Sequence, residues 1–382
     1  MFWCAIFILV GVNVAPFFMA NSIFNLHIWL AQGAWTQTLV MTMFTLTFWQ
    51  KPIRDIRNIP LGVLHFWVGL TVAFICFKSQ MGGRYNITTF LPYFNLLCGL
   101  IFYKCLTEYL TKEQFLKIVE ILRYTVIATL IFSTMQVFTV FPFYKFLAAT
   151  QWHRNNPVFG FIGNGTHLSG FLAMCISLFL IKVKRENVLA VILTFLLMCF
   201  TGTNRNDPAI SGFIIALAVL TFFYKKNWQL LSTTYFLIFI GLIVFSSYFP
   251  KDFFTDSGRF VAWKYWWNVF INTSPLWGIG LGSIGLIAPK TPYPQLFHMH
   301  LEYFHYAIEI GIIGVFLIIN VIVDFLNKTA ESREQLALKS VVFGFLVSCL
   351  FTYPSHLWLV SFWAIFFYSA YMVINREESY GD

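Results

Sequence analysis

The sequence predicts an all-α, polytopic membrane protein of about twelve transmembrane helices, with an external amphipathic-helix loop between the ninth and the tenth. Three observations point there. Hydrophobic residues make up 58% of the 382-residue chain and charged residues 11%, whereas charged residues approach about a quarter in soluble domains. Apolar runs of spanning length, about 20 residues, recur along the chain. Lys and Arg collect in alternate connections between those runs, as they do on the cytoplasmic side of membrane proteins.

The expected spans are 2–19, 33–49, 61–78, 88–106, 121–141, 167–182, 187–202, 208–223, 229–248, 303–326, 338–353 and 356–375. The N-terminal MFWCAIFILVGVNV lacks the basic n-region and small-residue cleavage site of a signal peptide, so it reads as the first span. Runs 167–182, 187–202 and 338–353 are short for a full crossing. With the N-terminus inside, the inner loops hold Lys51, Arg54, Arg57, Lys104, Lys112, Lys117, Lys182, Lys184, Arg185, Lys225, Lys226, Lys328, Arg333, Lys339 and Arg376. The outer loops hold fewer basic residues, which puts both termini in the cytoplasm. The net charge of +9 therefore reads as membrane orientation, and no nucleic-acid partner is expected. Seven cysteines fall in or beside apolar runs without metal-binding spacing and read as small core hydrophobes. Residues 1–382 form a single integral membrane domain, without internal repeat or low-complexity linker.

Two long external segments, 142–166 and 249–302, and the short turn at 203–207 face one side of the membrane. Charged groups are costly in hydrocarbon, and those retained at its edge mark candidate chemistry. From Gly258, the segment GRFVAWKYWWNVFI places Phe260, Trp263, Trp266, Trp267, Phe270 and Ile271 on one helical face. That predicts an amphipathic helix at the outer interface, with Arg259 in its first turn. The same helix serves equally as a plain interfacial anchor. Pro275 stops it, and Gly278, Gly280 and Gly282 read as a tight, closely packed turn rather than a nucleotide loop.

HMHLEYFHYAIEIG then gathers His298, His300, Glu302, His305 and Glu309, with His305 and Glu309 on one face by their four-residue spacing. These residues suit a metal site, a solvated helix entrance, or a single histidine acting as proton acceptor. The last is the favoured reading, because HExxH is absent. The turn FTGTNRNDP presents Arg205, with Pro208 opening the next helix. The segment WHRNNPVFGFIGNGTHLSGF adds Arg154, Asn164 and His167 at the lip of the sixth span, where a tight turn entering a helix explains them equally well.

In this order the four segments resemble the O-antigen ligase and polymerase family, membrane glycosyltransferases that use polyprenyl-diphosphate-linked glycans. The resemblance covers Arg154 to Gly314. It rests on TGTNR for a TGSR-type turn, on an R-x-x-x-W helix ending in P-x-x-GIGLG, and on H-x-x-x-L-x-x-x-x-E-x-G-x-x-G. In the last motif His300, Glu309, Gly311 and Gly314 keep the spacing, and Phe304 replaces Leu. TGTNR is one residue longer than TGSR and is followed by NDPAI rather than small residues, so Arg205 matches less closely than Arg259.

The resemblance implies that Arg205 and Arg259 clamp the diphosphate and that His300 activates an acceptor hydroxyl. Arg154, Asn164 and Glu309 are further substrate-binding candidates. It implies no metal and no cofactor, inversion at the anomeric carbon, and a site on the outer face of a bacterial inner membrane. The partners are a lipid-linked glycan donor, a lipid or glycan acceptor and membrane lipids. A polymerase of the same family and a protein O-glycosyltransferase are its near rivals. A flippase would place polar residues or broken helices at midplane, where Asn95 and Asn320 are the few candidates.

Overall fold

The computed structural model describes residues 1–11, 36–45, 67, 69, 90–137, 165–181, 207–223, 259–284, 301–350 and 358–379. Within them every regular element is helical. In chain order they are α1 (Phe2–Gly11), α2 (36–45), α3 (Phe90–Tyr109), α4 (Lys112–Val137), α5 (Gly165–Met174), α6 (Asp207–Phe223), α7 (Arg259–Thr273), α8 (Glu302–Asn327), α9 (Arg333–Ser348) and α10 (Trp358–Ser379). The end of α5 tightens into a 3₁₀ helix over Cys175–Leu180. The expected spans 187–202 and 229–248 lie outside the described residues, as does nearly all of 61–78.

Among the described residues, two helices, Glu302–Asn327 and Leu359–Arg376, are long and apolar enough to cross a membrane. They differ in surroundings. The most apolar stretch of α10 is 67% buried, whereas that of α8 is only 28% buried. Ile312, Phe316, Ile319 and Val323 make an exposed stripe at helical spacing along α8. An exposed apolar stripe of this length suits lipid rather than water.

The loop expected between residues 107 and 120 is much shorter than its charges suggest. Lys112, Glu113, Lys117 and Glu120 ride on the first turns of α4, which follows α3 after only Leu110 and Thr111. Charge frequency alone does not mark a helix boundary, because an amphipathic first turn keeps Glu113, Lys117 and Glu120 exposed while Phe115, Ile118 and Val119 are buried. Arg123, one turn further in, is buried. Its Nε donates to the Leu178 carbonyl at 2.9 Å and its guanidinium pairs with Glu120 at 2.5 Å.

Helices α5, α6, α9, α10 and α3 pack in succession around a core of Phe102, Phe171, Trp363, Phe366, Phe367 and Tyr371. Close approach depends on Gly344 of α9: a Cβ there would meet Val219 Cγ2 of α6 at 2.5 Å and the Met174 Cα of α5 at 3.3 Å. Buried Cys98, Cys105 and Cys175 belong to this core, consistent with their reading as small hydrophobes. α1 joins through the Trp363 indole, which donates to the Leu9 carbonyl at 3.0 Å.

One end of this bundle is basic. Lys339 is fully buried, and its ammonium donates to the carbonyls of Leu326 (2.8 Å) and Lys328 at the C-terminus of α8. The same ammonium lies 5.4 to 6.0 Å from the ring centroids of Phe222, Phe325 and Tyr371. Arg333 sits over Phe223, and Arg376 donates to the Thr107 carbonyl at 3.4 Å. At the opposite end, the Glu302 amide donates to the Cys349 carbonyl at 2.8 Å and the Tyr303 hydroxyl to the Leu346 carbonyl at 2.9 Å. These contacts join the start of α8 to the end of α9, on the side where α7 lies.

Candidate functional site

α7 begins at Arg259, one residue after Gly258, and ends before Pro275, as the pattern predicts. Its apolar residues lie on one arc, part of which is covered by α8. Ala262, Trp266 and Phe270 are buried, and Trp266 and Phe270 pack with Ile284 and Ile308. Trp267 and Ile271, further round the same arc, are each 50% exposed, and the Trp267 ring meets that of Phe304 at 6.1 Å. The physical reason is that α7 rests on α8, so its apolar arc divides between a protein-facing stripe and an outer one.

The turn after α7 is built as the glycines indicate. Gly278, Gly280 and Gly282 all have positive φ. What the sequence did not foretell is the partner of that turn. α8 is broken at Gly311, which adopts φ 72° and ψ 176°. Such a break leaves carbonyls before it and amides after it without helical partners, a costly state inside an apolar structure.

The 275–280 turn takes up these groups. The amides of Ile279 and Gly280 donate to the carbonyls of Ile308 (2.9 Å) and Glu309 (2.6 Å). The amides of Ile312 and Ile313 donate back to the carbonyls of Pro275 (2.9 Å) and Leu276 (3.5 Å). Trp67 supplies the remaining donor: its indole N–H reaches the Ile310 carbonyl at 2.9 Å while its ring stacks on Trp277 at 4.8 Å.

The two backbones touch. A Cβ on Gly278 would stand 2.3 Å from the Glu309 carbonyl oxygen, and one on Gly311 would stand 2.1 Å from that of Leu276. Both positions thus require glycine for left-handed φ and for proximity together.

Glu309 is buried within this clasp, with 1% exposure. Its Oε1 accepts from the Ile284 amide at 3.1 Å and lies 3.3 Å from Nε2 of His305, one turn earlier on the same face. The shared face expected of His305 and Glu309 is therefore present. Arg259 opens α7, and the start of α8 at Glu302 lies two positions after His300. His300 itself, His298, Arg205, Arg154 and Asn164 lie outside the described residues. His167 is buried in α5.

Sequence reasoning missed Trp67 and Arg123. Trp67 looked like one more aromatic in an apolar run, and no local pattern marks the remote carbonyl it serves. No family model matches the chain, and neither does any curated protein.

Proposed function

We propose that this chain is a membrane glycosyltransferase of O-antigen ligase type, moving a glycan from a polyprenyl diphosphate to a lipid or sugar acceptor at the outer face of the bacterial inner membrane. One observation carries most weight: the helix that begins at Arg259 and the helix that begins two positions after His300 are tied together through Gly278–Ile284 and Ile308–Ile313. Residues far apart in sequence are thus tied to one end of the structure, as a shared site needs. The twelve-span topology with both termini inside belongs to the same proposal.

In the proposed reaction the acceptor hydroxyl oxygen attacks the anomeric carbon, and the bond from that carbon to the phosphate oxygen breaks. The diphosphate leaves with the electron pair, and the acceptor proton passes to neutral His300. The guanidiniums of Arg259 and Arg205 stabilise the charge developing on the leaving oxygen, because their planar forks match phosphate bidentately. One direct displacement inverts the anomeric carbon.

Transport of lipid-linked sugars is the rival that the break in α8 brings forward, since transporters use discontinuous helices to line substrate sites. Here, however, the freed carbonyls of Ile308, Glu309 and Ile310 and the amides of Ile312 and Ile313 are all engaged by protein. A break whose polar groups are filled by a neighbouring turn favours a packing role over a substrate path.

Deleting the gene in its host and resolving the surface polysaccharide on a gel tests the proposal. Loss of all lipid-attached glycan identifies a ligase, and a single repeat left on the acceptor identifies a polymerase of the same family. An unchanged polysaccharide profile sinks both.

A further inference from the structure

The geometry points to Glu309 as a positioning residue that sets α7, which begins at Arg259, against α8, which begins two residues after His300, rather than as a contact to substrate. This inference rests on the transferase reading above for its catalytic consequence, while the clasp itself rests on geometry alone.

Glu309 meets the turn three times. Its carbonyl accepts from the Gly280 amide and lies against Gly278, and its carboxylate accepts from the Ile284 amide. The first two contacts fix where the turn crosses the break in α8. The third ties the far end of the turn, at Ile284, to the same residue. A carboxylate with 1% exposure and an oxygen committed to a backbone amide is held by the protein interior.

On the other side, the turn is joined to α7 through the Gly278 amide, which donates to the Ser274 carbonyl at 2.7 Å. Moving the turn therefore moves the helix that begins at Arg259. The clasp thus has two parts with separable chemistry: the backbone ladder with its two glycines, and the side-chain tethers from Glu309 and Trp67. Only the tethers can be removed without forcing a Cβ into backbone. They provide the test, since misplacing a reacting group by about 1 Å costs on the order of a hundredfold in rate without abolishing binding.

Two measurements on the full-length protein in detergent or nanodiscs separate the possibilities. The first is steady-state transfer from lipid-linked donor, with kcat and KM resolved, for native protein, Glu309→Gln, Glu309→Ala and Trp67→Phe. The second is the distance distribution between spin labels carried on noncanonical side chains at positions 264 and 319, both exposed, one on α7 and one beyond the break in α8. Gln keeps an oxygen that accepts from the Ile284 amide, so Glu309→Gln should recover most of native kcat with a narrow distance distribution. Glu309→Ala should lose about 10- to 100-fold in kcat, with donor KM nearly unchanged and a broadened distribution. Trp67→Phe keeps the stacking on Trp277 but loses the indole donor, and should move both readouts in the same direction by less. Should Glu309→Ala fail to fold, Trp67→Phe carries the same comparison.

A large rise in donor KM for Glu309→Gln, with the distances unchanged, would make the carboxylate a substrate contact and overturn the inference. So would native kcat and native distances in both Glu309→Ala and Trp67→Phe. Native protein that transfers nothing, while the distances follow the expected order, would instead overturn the transferase reading and leave the clasp standing.

Discussion

Arg259 and His300 have distinct roles in the proposed chemistry, and substitution separates them. His300→Ala removes the proton acceptor and should lower the rate by a factor of about 100 to 10,000, with donor binding retained. His298→Ala should be much milder, because only His300 stands nine residues before Glu309, in the spacing of the family motif. A series in which His298→Ala is inactive and His300→Ala is near normal would refute the assignment. Arg259→Lys keeps the charge and loses the bidentate fork, so turnover and donor affinity should both fall. Residue type and spacing alone single out Arg259 and His300 as candidates for this chemistry. They do not show that Glu309 is spent on a backbone amide, because that amide arrives from Ile284, on a different segment.

Among the elements, α8 is where pattern and structure part. Its apolar run from 303 to 326 reads as one continuous helix and is observed as Glu302–Asn327, but with a break at Gly311. A glycine within an apolar helix is common, and no local signal tells a packed glycine from a broken one. The decision lies with the 275–280 turn, whose amides and carbonyls offset the lost helical bonds. Gly311→Ala should therefore destabilise by more than the roughly 1–3 kcal/mol of a side chain held in this glycine-only backbone region, since the added Cβ also meets the Leu276 carbonyl at 2.1 Å. Thermal unfolding in detergent checks this, and a melting temperature equal to the native one would show that α8 is not held by the turn. The C-terminus of α8 offers a second test. Lys339→Met keeps the side-chain length but removes the donor to the Leu326 and Lys328 carbonyls. A charged hydrogen bond contributes about 1.5–3 kcal/mol, so the melting temperature should fall. A rise would mean that burying the ammonium costs more than its carbonyl and ring contacts return.

At the scale of the molecule, the C-terminal ends of α6, α8 and α10 and the start of α9 meet at one end of the bundle, where Arg333, Lys339 and Arg376 make their contacts. The clasp and the start of α8 lie at the other end. That arrangement agrees with the alternation of Lys and Arg along the sequence and supports a common inner side for those ends. Reporter fusions after Lys226 and after Gly258 should report opposite sides of the membrane. Two cytoplasmic signals would refute both the twelve-span topology and the external placement of Arg259.

The sequence by itself determined the helical class, the positions of α6 to α10 to within a few residues, and the tight turn at Gly278–Gly282. These follow from local causes: apolar run length, the Pro208 and Pro275 boundaries, and a glycine spacing that only left-handed backbone uses well. The tertiary structure alone decided the break at Gly311, the packing of α7 on α8, the burial of Lys339 and the tie from Trp67 to Ile310. Each of these depends on which remote group arrives to accept or donate a hydrogen bond. A broken helix is stable only where another segment satisfies its exposed amides and carbonyls, and that partner is set by packing rather than by neighbouring residues.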